Sequence, residues 1–300
     1  MTEPKDLLMR SAPPDGDVST LIAVDPEQAG WEFCSLTVIR LAAEATWEGA
    51  TGADEVALVP LSGGCTVTSG GETWEIGGRA SVFEGPTSSL YLPTGTDYTV
   101  TASGEGPLEL AVTGSRAEQR FPVKKIEADA VAIEIRGAGN AAREIRHIVA
   151  PAFPAQRLLV VEVVTPSGNW SSYPPHKHDV QRLPTEADLE EIYYYRLDKP
   201  EGFALQRLYT GDGRIDEAWT IRDGDLLLVP EGYHAFAVAH GYTGYYLNIL
   251  AGADPVRTMQ PVDDPAHAWT RATWDEGMNE GARSFRDIDA RVNRGAGSAS

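Results

Sequence analysis

Short apolar runs, rich in β-branched and aromatic residues and closed by turn formers, recur along the whole chain. Residues 35–41, 55–61, 131–135, 158–164, 192–197, 226–229 and 245–250 fit this description, and each predicts a strand. Helical periodicity is scarce. Residues 139–147 and 186–190 are the best helical candidates, and both are short. Many short strands at frequent turn signals predict an all-β protein, a sandwich or a barrel.

The pattern of the first half returns in the second. Glu55 opens one apolar run and Glu191 another, and each run is followed downstream by a Pro-x-Gly turn, at Pro93 and at Pro230. The two landmarks lie 38 and 39 positions apart. Such agreement predicts a duplicated β domain, divided as residues 1–120 and 121–283. The polar stretch at 115–130 holds the boundary, and a frayed tail occupies 284–300.

Composition narrows the function classes. With 300 residues and 42% hydrophobic content, the chain can bury a sizeable core. Its formal net charge of -19 lacks the footprint of a nucleic-acid binder, and anionic membrane surfaces would repel it. A small anionic substrate stays open, because a local arginine pocket can oppose the global field. Cys34 and Cys65 form no metal-spaced pair and fit a reduced, cytoplasmic chain. No signal-peptide pattern and no long apolar span is present.

Histidine placement breaks the symmetry of the halves. The six are His147, His176, His178, His234, His240 and His267, and none lies in the first 146 residues. Asp97 stands in the first half where His234 stands in the second. Only the second half can therefore carry a histidine-built metal site. On a strand, His176 and His178 share a face while Lys177 points away. With Glu191 opening the next strand and His234 after the turn, three imidazoles and one carboxylate suit Zn, Mn, Fe or Ni. Four protein ligands would leave positions open for substrate oxygens. A bare His-x-His more often ends a polar strand; the downstream glutamate and turn shift the balance.

His176-Lys177-His178, then Glu191, then Gly224 followed by Pro230, Gly232 and His234 resemble the two cupin motifs. Two departures stand out: 13 positions separate His178 from Glu191, and His234 sits one residue closer to Gly232 than is usual. Glu190 competes with Glu191 as ligand. Longer segments, 169–179, 189–196, 223–234, 245–252 and 264–269, resemble the 5-deoxy-glucuronate isomerases of myo-inositol catabolism, a bicupin family. Related isomerases act on 4-deoxy-5-hexosulose-uronate. The resemblance implies two β-barrel or jelly-roll domains, the first degenerate and without metal ligands. It implies one divalent metal per chain, Zn or Mn ahead of Fe or Ni, on His176, His178, Glu191 and His234. It implies an aldose–ketose isomerisation of 5-deoxy-D-glucuronate to 5-dehydro-2-deoxy-D-gluconate, by proton transfer or by hydride shift, in the cytoplasm and without a redox cofactor. An Fe(II) oxygenase and a non-enzymatic sugar-binding bicupin are the competing readings.

A sugar-acid substrate calls for a guanidinium fork. Arg182, beside the metal strand, is the first candidate and Arg207 the second. Tyr193 and Tyr195 share the Glu191 face, and Tyr246 and Asn248 share a face of the last strand; all four are candidate substrate contacts. The catalytic base is not singled out, and His147 and His240 receive no role. A homo-oligomer fits the bicupin plan.

Overall fold

The computed structural model describes residues 7–274. The first half contributes β1 (Leu8–Met9), β2 (Val18–Val24), β3 (Cys34–Leu41), β4 (Thr46–Ala50), β5 (Asp54–Ser69), β6 (Glu72–Arg79), β7 (Ser89–Leu92), β8 (Asp97–Ser103) and β9 (Leu108–Arg116). Next come β10 (Lys124–Ile126), β11 (Ala132–Arg136), β12 (Arg143–Val149), β13 (Leu159–Thr165), β14 (Trp170–Lys177), β15 (Asp179–Arg182) and β16 (Glu186–Asp188). The chain continues through β17 (Glu190–Leu197), β18 (Ala204–Tyr209), β19 (Asp216–Ile221), β20 (Leu226–Val229), β21 (Tyr233–Val238), β22 (Gly244–Ala251) and β23 (Val262–Asp263). All seven predicted strands are present, as β3, β5, β11, β13, β17, β20 and β22. The proposed tail at 284–300 lies outside the described residues.

Both helical expectations are corrected. Residues 139–141 form a single 3-10 turn, and Arg143–Val149 is strand β12. Residues 186–188 are β16, and Glu190 opens β17. These segments are too short to hold a helix alone. Pairing of β12 with β13 on one side and β11 on the other decides the first case.

The duplication is visible in strand order. One sheet runs β10-β7-β5-β9-β3-β2, and another runs β1-β20-β17-β22-β13-β12, with β11 added at its edge. Each half lends its leading strand to the other: β1 pairs with β20, and β10 pairs with β7. The second barrel is completed by the sheet β19-β18-β21-β14-β23. One hydrophobic core runs through both halves, with β3 packed against β17 and β22.

Register corrects the pairing of Glu55 with Glu191. Val56 faces Leu92 just before Pro93, and Glu191 faces Val229 just before Pro230. Val56 is thus the counterpart of Glu191, and Glu55 that of Glu190. Those two glutamates do matching work. Glu55 accepts backbone N–H bonds from Gln156, Arg157 and Leu158 at 2.8, 2.6 and 2.7 Å, and Glu190 accepts them from Glu32, Phe33 and Cys34 at 2.6, 2.9 and 2.8 Å. Each carboxylate fastens its own half to the strand start of the other half. The same register sets Asp97 opposite Ala50 where His234 is opposite His176. No helix among the described residues is long and apolar enough to cross a membrane. Cys34 and Cys65 are buried and free.

Candidate metal centre and its cavity

Strand β14 carries the first ligand positions and is irregular. Its register with β21 breaks between Ser171 and His176, and Ser172 takes a left-handed φ of 49°. Past the break, His176 lies directly opposite His234. The long separation of His178 from Glu191 is taken up by the hairpin β15–β16. At its base the Leu189 N–H donates to the His178 carbonyl at 2.8 Å, so His178 and β17 remain neighbours. Lys177 points away from the imidazoles and pairs with Asp179 and Glu186.

Alternation along β17 separates the two adjacent glutamates: Glu190 serves the latch, and Glu191 turns inward with Tyr193 and Tyr195. The turn before β21 needs its glycine. Gly232 has φ +96°, and a Cβ there would lie 2.7 Å from the Tyr209 carbonyl oxygen.

His178, Glu191 and His234 converge, with their ligand atoms within 4.8 Å of one another. Glu191 Oε2 is 3.0 Å from His178 Nε2 and 3.2 Å from His234 Nε2. His176 stands outside this group of three, its ring centroid 4.7 Å from that of His234 and 6.5 Å from that of His178. All three imidazoles place Nδ1 against a backbone carbonyl: Pro174 at 3.2 Å, Leu189 at 3.0 Å and Gly232 at 3.2 Å. A proton on Nδ1 leaves each Nε2 as a lone pair, the form a metal takes.

Electrostatics agree with that use. Burial would raise the Glu191 carboxyl, but His178 and His234 outweigh it and bring it down to about 2. Burial would lower His178, and Glu191 raises it instead. Burial, with His234 and His178 nearby, pushes His176 well below its ordinary value. His234 Nε2 is fully buried and makes no hydrogen bond of acceptable geometry, despite its 3.2 Å approach to Glu191. An orphaned imidazole nitrogen, a buried carboxylate and a second imidazole on it fit a divalent cation.

The cluster opens on a cavity of about 270 Å³. Ile145, Val161, Val163 and Leu250 give it an apolar side, and Ser172, Tyr193, Tyr246 and Asn248 a polar one. Ser172 Oγ lies 2.9 Å from the Tyr193 hydroxyl and 3.2 Å from that of Tyr246. Three of the expected substrate contacts, Tyr193, Tyr246 and Asn248, therefore meet the cavity. Tyr195 does not: its ring stacks between Tyr193 and Phe236, and its hydroxyl donates to Gln206 Oε1 at 3.2 Å.

Both arginine expectations are corrected. The Arg182 side chain is 69% exposed on the β15–β16 hairpin, 3.8 Å from Glu186. Arg207 alternates outward on β18 and pairs with Asp216 at 3.0 Å. The cavity arginines are Arg136 and Arg143, joined by His147, whose Nε2 lies 3.2 Å from Glu134. Alternation of 143, 145 and 147 on one face was the available signal, and a helical reading of 139–147 hides it. His240 and His267 are not in the cavity wall.

Fold and site together define a bicupin with a metal-type cluster in its second barrel. The KduI/IolB family profile matches residues 7–270, and the chain belongs to that family. The 5-deoxy-glucuronate isomerase of Geobacillus thermodenitrificans is 45% identical over 251 residues, which span 83% of this chain and 90% of that protein. The protein of the same name from Bacillus subtilis is 42% identical over 240 residues, 79% of this chain and 87% of its own. Among solved structures, an IolB-like protein of Salmonella typhimurium superposes with a TM-score of 0.83 at 38% identity, covering 88% of this chain and 98% of that one. The oxalate decarboxylase of Lactobacillus farciminis, 12% identical with a TM-score of 0.61 over 92% of this chain and 93% of its own, shares the fold.

Proposed function

We propose that this protein is a metal-dependent aldose–ketose isomerase that converts 5-deoxy-D-glucuronate to 5-dehydro-2-deoxy-D-gluconate in myo-inositol catabolism. The observation that carries the reading is the convergence of His178, Glu191 and His234 on one point beside the cavity that His178 and Glu191 line, with each imidazole oriented by a backbone carbonyl. Relatives at 40–45% identity named for this isomerisation supply the substrate.

One divalent metal per chain, Zn or Mn ahead of Fe or Ni, belongs on these three residues with His176 as fourth ligand. When bound, it would act as a Lewis acid on the carbonyl oxygen and its neighbouring hydroxyl oxygen. The remaining work falls to the chain. Burial pushes the Tyr193 and Tyr246 phenols up, so both stay protonated, and the phenol that accepts from Ser172 can donate its own proton to a substrate oxygen where negative charge develops. Ser172 fixes the direction of both hydroxyls. His147, outside the metal cluster, can take a proton from one carbon and return it to the next, steadied by Glu134. The apolar wall keeps water from the reacting carbons.

Residues 1–120 and 121–283 are in this reading two cupin units of which only the second is catalytic. A cytoplasmic homo-oligomer without nucleic-acid or membrane partners completes it. The exposed Ile133 and Ile135 on the edge strand β11 support self-association. The test is anaerobic turnover: purified protein should isomerise 5-deoxy-D-glucuronate faster than 4-deoxy-5-hexosulose-uronate, without oxygen. A reversed preference or an oxygen requirement refutes the proposal.

A further inference from the structure

We infer that Arg143 is the residue that receives the carboxylate of the substrate, and that it sets the preference for a sugar acid over a neutral sugar. This inference rests on the sugar-acid reading above and adds the residue that recognises the acid.

Arg143 opens β12, three strands across the sheet from Glu191, and lines the same cavity. It is only 3% exposed. The other buried or cavity-lining arginines nearby are neutralised within the protein. Arg136 holds Glu134 with two bonds of 2.7 and 2.8 Å, and Arg79 and Arg146 share Glu162. Arg143 has no carboxylate partner among the described residues. Its Nη1 donates to the carbonyl oxygens of Ala141 and Tyr173 at 3.1 and 3.2 Å, which fixes the plane of the guanidinium. The other N–H groups of the fork remain for a ligand.

The surroundings are built to hold this group. Gly137, at φ +83°, lets the turn close around it: a Cβ there would lie 2.1 Å from the Ala141 carbonyl oxygen and 2.9 Å from Arg143 Nη1. The Trp274 ring lies 5.6 Å from Cζ and supplies a cation–π contact. Burial lowers the guanidinium to about 10, so it is still charged at neutral pH. A buried, unpaired positive charge is unfavourable unless something anionic joins it. In a protein of net charge -19, this is a positive point inside the reaction cavity. Tyr173, which holds Arg143, directly follows Ser172, which orients the two phenols. Carboxylate recognition and carbonyl positioning are thereby joined through one segment of β14.

The test compares wild type, Arg143→Met and Arg143→Lys, with melting curves as the folding control. Calorimetry on metal-free protein measures binding of 5-deoxy-D-glucuronate and of neutral 5-deoxy-D-glucose, without turnover. Arg143→Met should weaken the acid by about 30-fold or more and leave the neutral sugar unchanged, since a hydrogen-bonded charge pair is lost. Arg143→Lys should fall between, because it keeps the charge without the fork. In turnover the loss should appear in KM more than in kcat. Equal affinity of folded Arg143→Met and wild type for the acid, or an equal loss for both sugars, overturns the inference. If wild type binds the acid through Arg143 but does not isomerise it, the isomerase reading falls and the receptor stands. If wild type does not bind the acid, both fall.

Discussion

At the scale of single residues, the site turns on two neighbours in the sequence that do unrelated work. Glu191 bonds His178 and faces His234, while Glu190 accepts three backbone N–H bonds from the other half of the chain. Glu191→Gln should therefore lose metal by at least about tenfold in affinity, the effect of removing a ligand or its closest support. Glu190→Gln should keep its metal and unfold more easily, by about 2 kcal/mol for weakened charge-assisted bonds. Metal titration and urea unfolding on the two variants separate these roles, and metal loss in both would show that they act as one group. The histidine and glutamate positions were legible because each falls in a short run with its own strand or turn signal. Arg143 was not, because its partners are the Ala141 and Tyr173 carbonyls and the Trp274 ring, scattered over 130 residues and silent in the pattern. Arg182 looked better because it is close in sequence to His178, yet the hairpin turns its side chain to solvent.

At the scale of elements, the two barrels are held by strands and ion pairs that cross between them. Arg79, at the end of β6, pairs with Glu162 in the middle of β13, and Arg146 and the Tyr245 hydroxyl join the same carboxylate. Burial alone would raise Glu162, but Arg79 and Arg146 prevail and hold it below the usual carboxylate range. A carboxyl lowered in the folded state stabilises fully above its unfolded pKa of about 4.3, and that contribution is lost as pH falls through the folded value. Glu162→Gln should cost about 3 kcal/mol at pH 7, since it strands buried arginines. The gap to wild type should close as the pH is lowered below about 4. Unfolding curves at pH 7 and pH 3 measure both, and a gap of the same size at the two values would exclude the ion pair as its source. The predicted strands were readable from their apolar runs. The exchange of β1 and β10 between halves was not, because a two- or three-residue edge strand carries no periodicity of its own. The offset of Glu55 against Glu191 was hidden for a related reason: the spacing to the Pro-x-Gly turn differs between halves, and only the register of β7 and β20 fixes it.

At the scale of the molecule, the strand order repeats in two barrels, and the His178, Glu191 and His234 cluster lies in the second. The first half keeps the strand order but sets Asp97 and Ala50 where the second has His234 and His176. It also places Val56 at the position of Glu191. What the first half supplies is a buried face and the latches that tie it to the start of β13 and to β17, two walls of the cavity. On the proposed reading, one metal per chain, at the cluster of the second barrel, enables the isomerisation. The most direct measurement strips the protein with a chelator, restores Zn or Mn in steps, and follows 5-deoxy-D-glucuronate by proton NMR under anaerobic conditions. Activity should be absent after stripping, rise in proportion to added metal and level off at about one equivalent per chain. Full turnover by the metal-free protein, or a rise that continues to two equivalents, would contradict it.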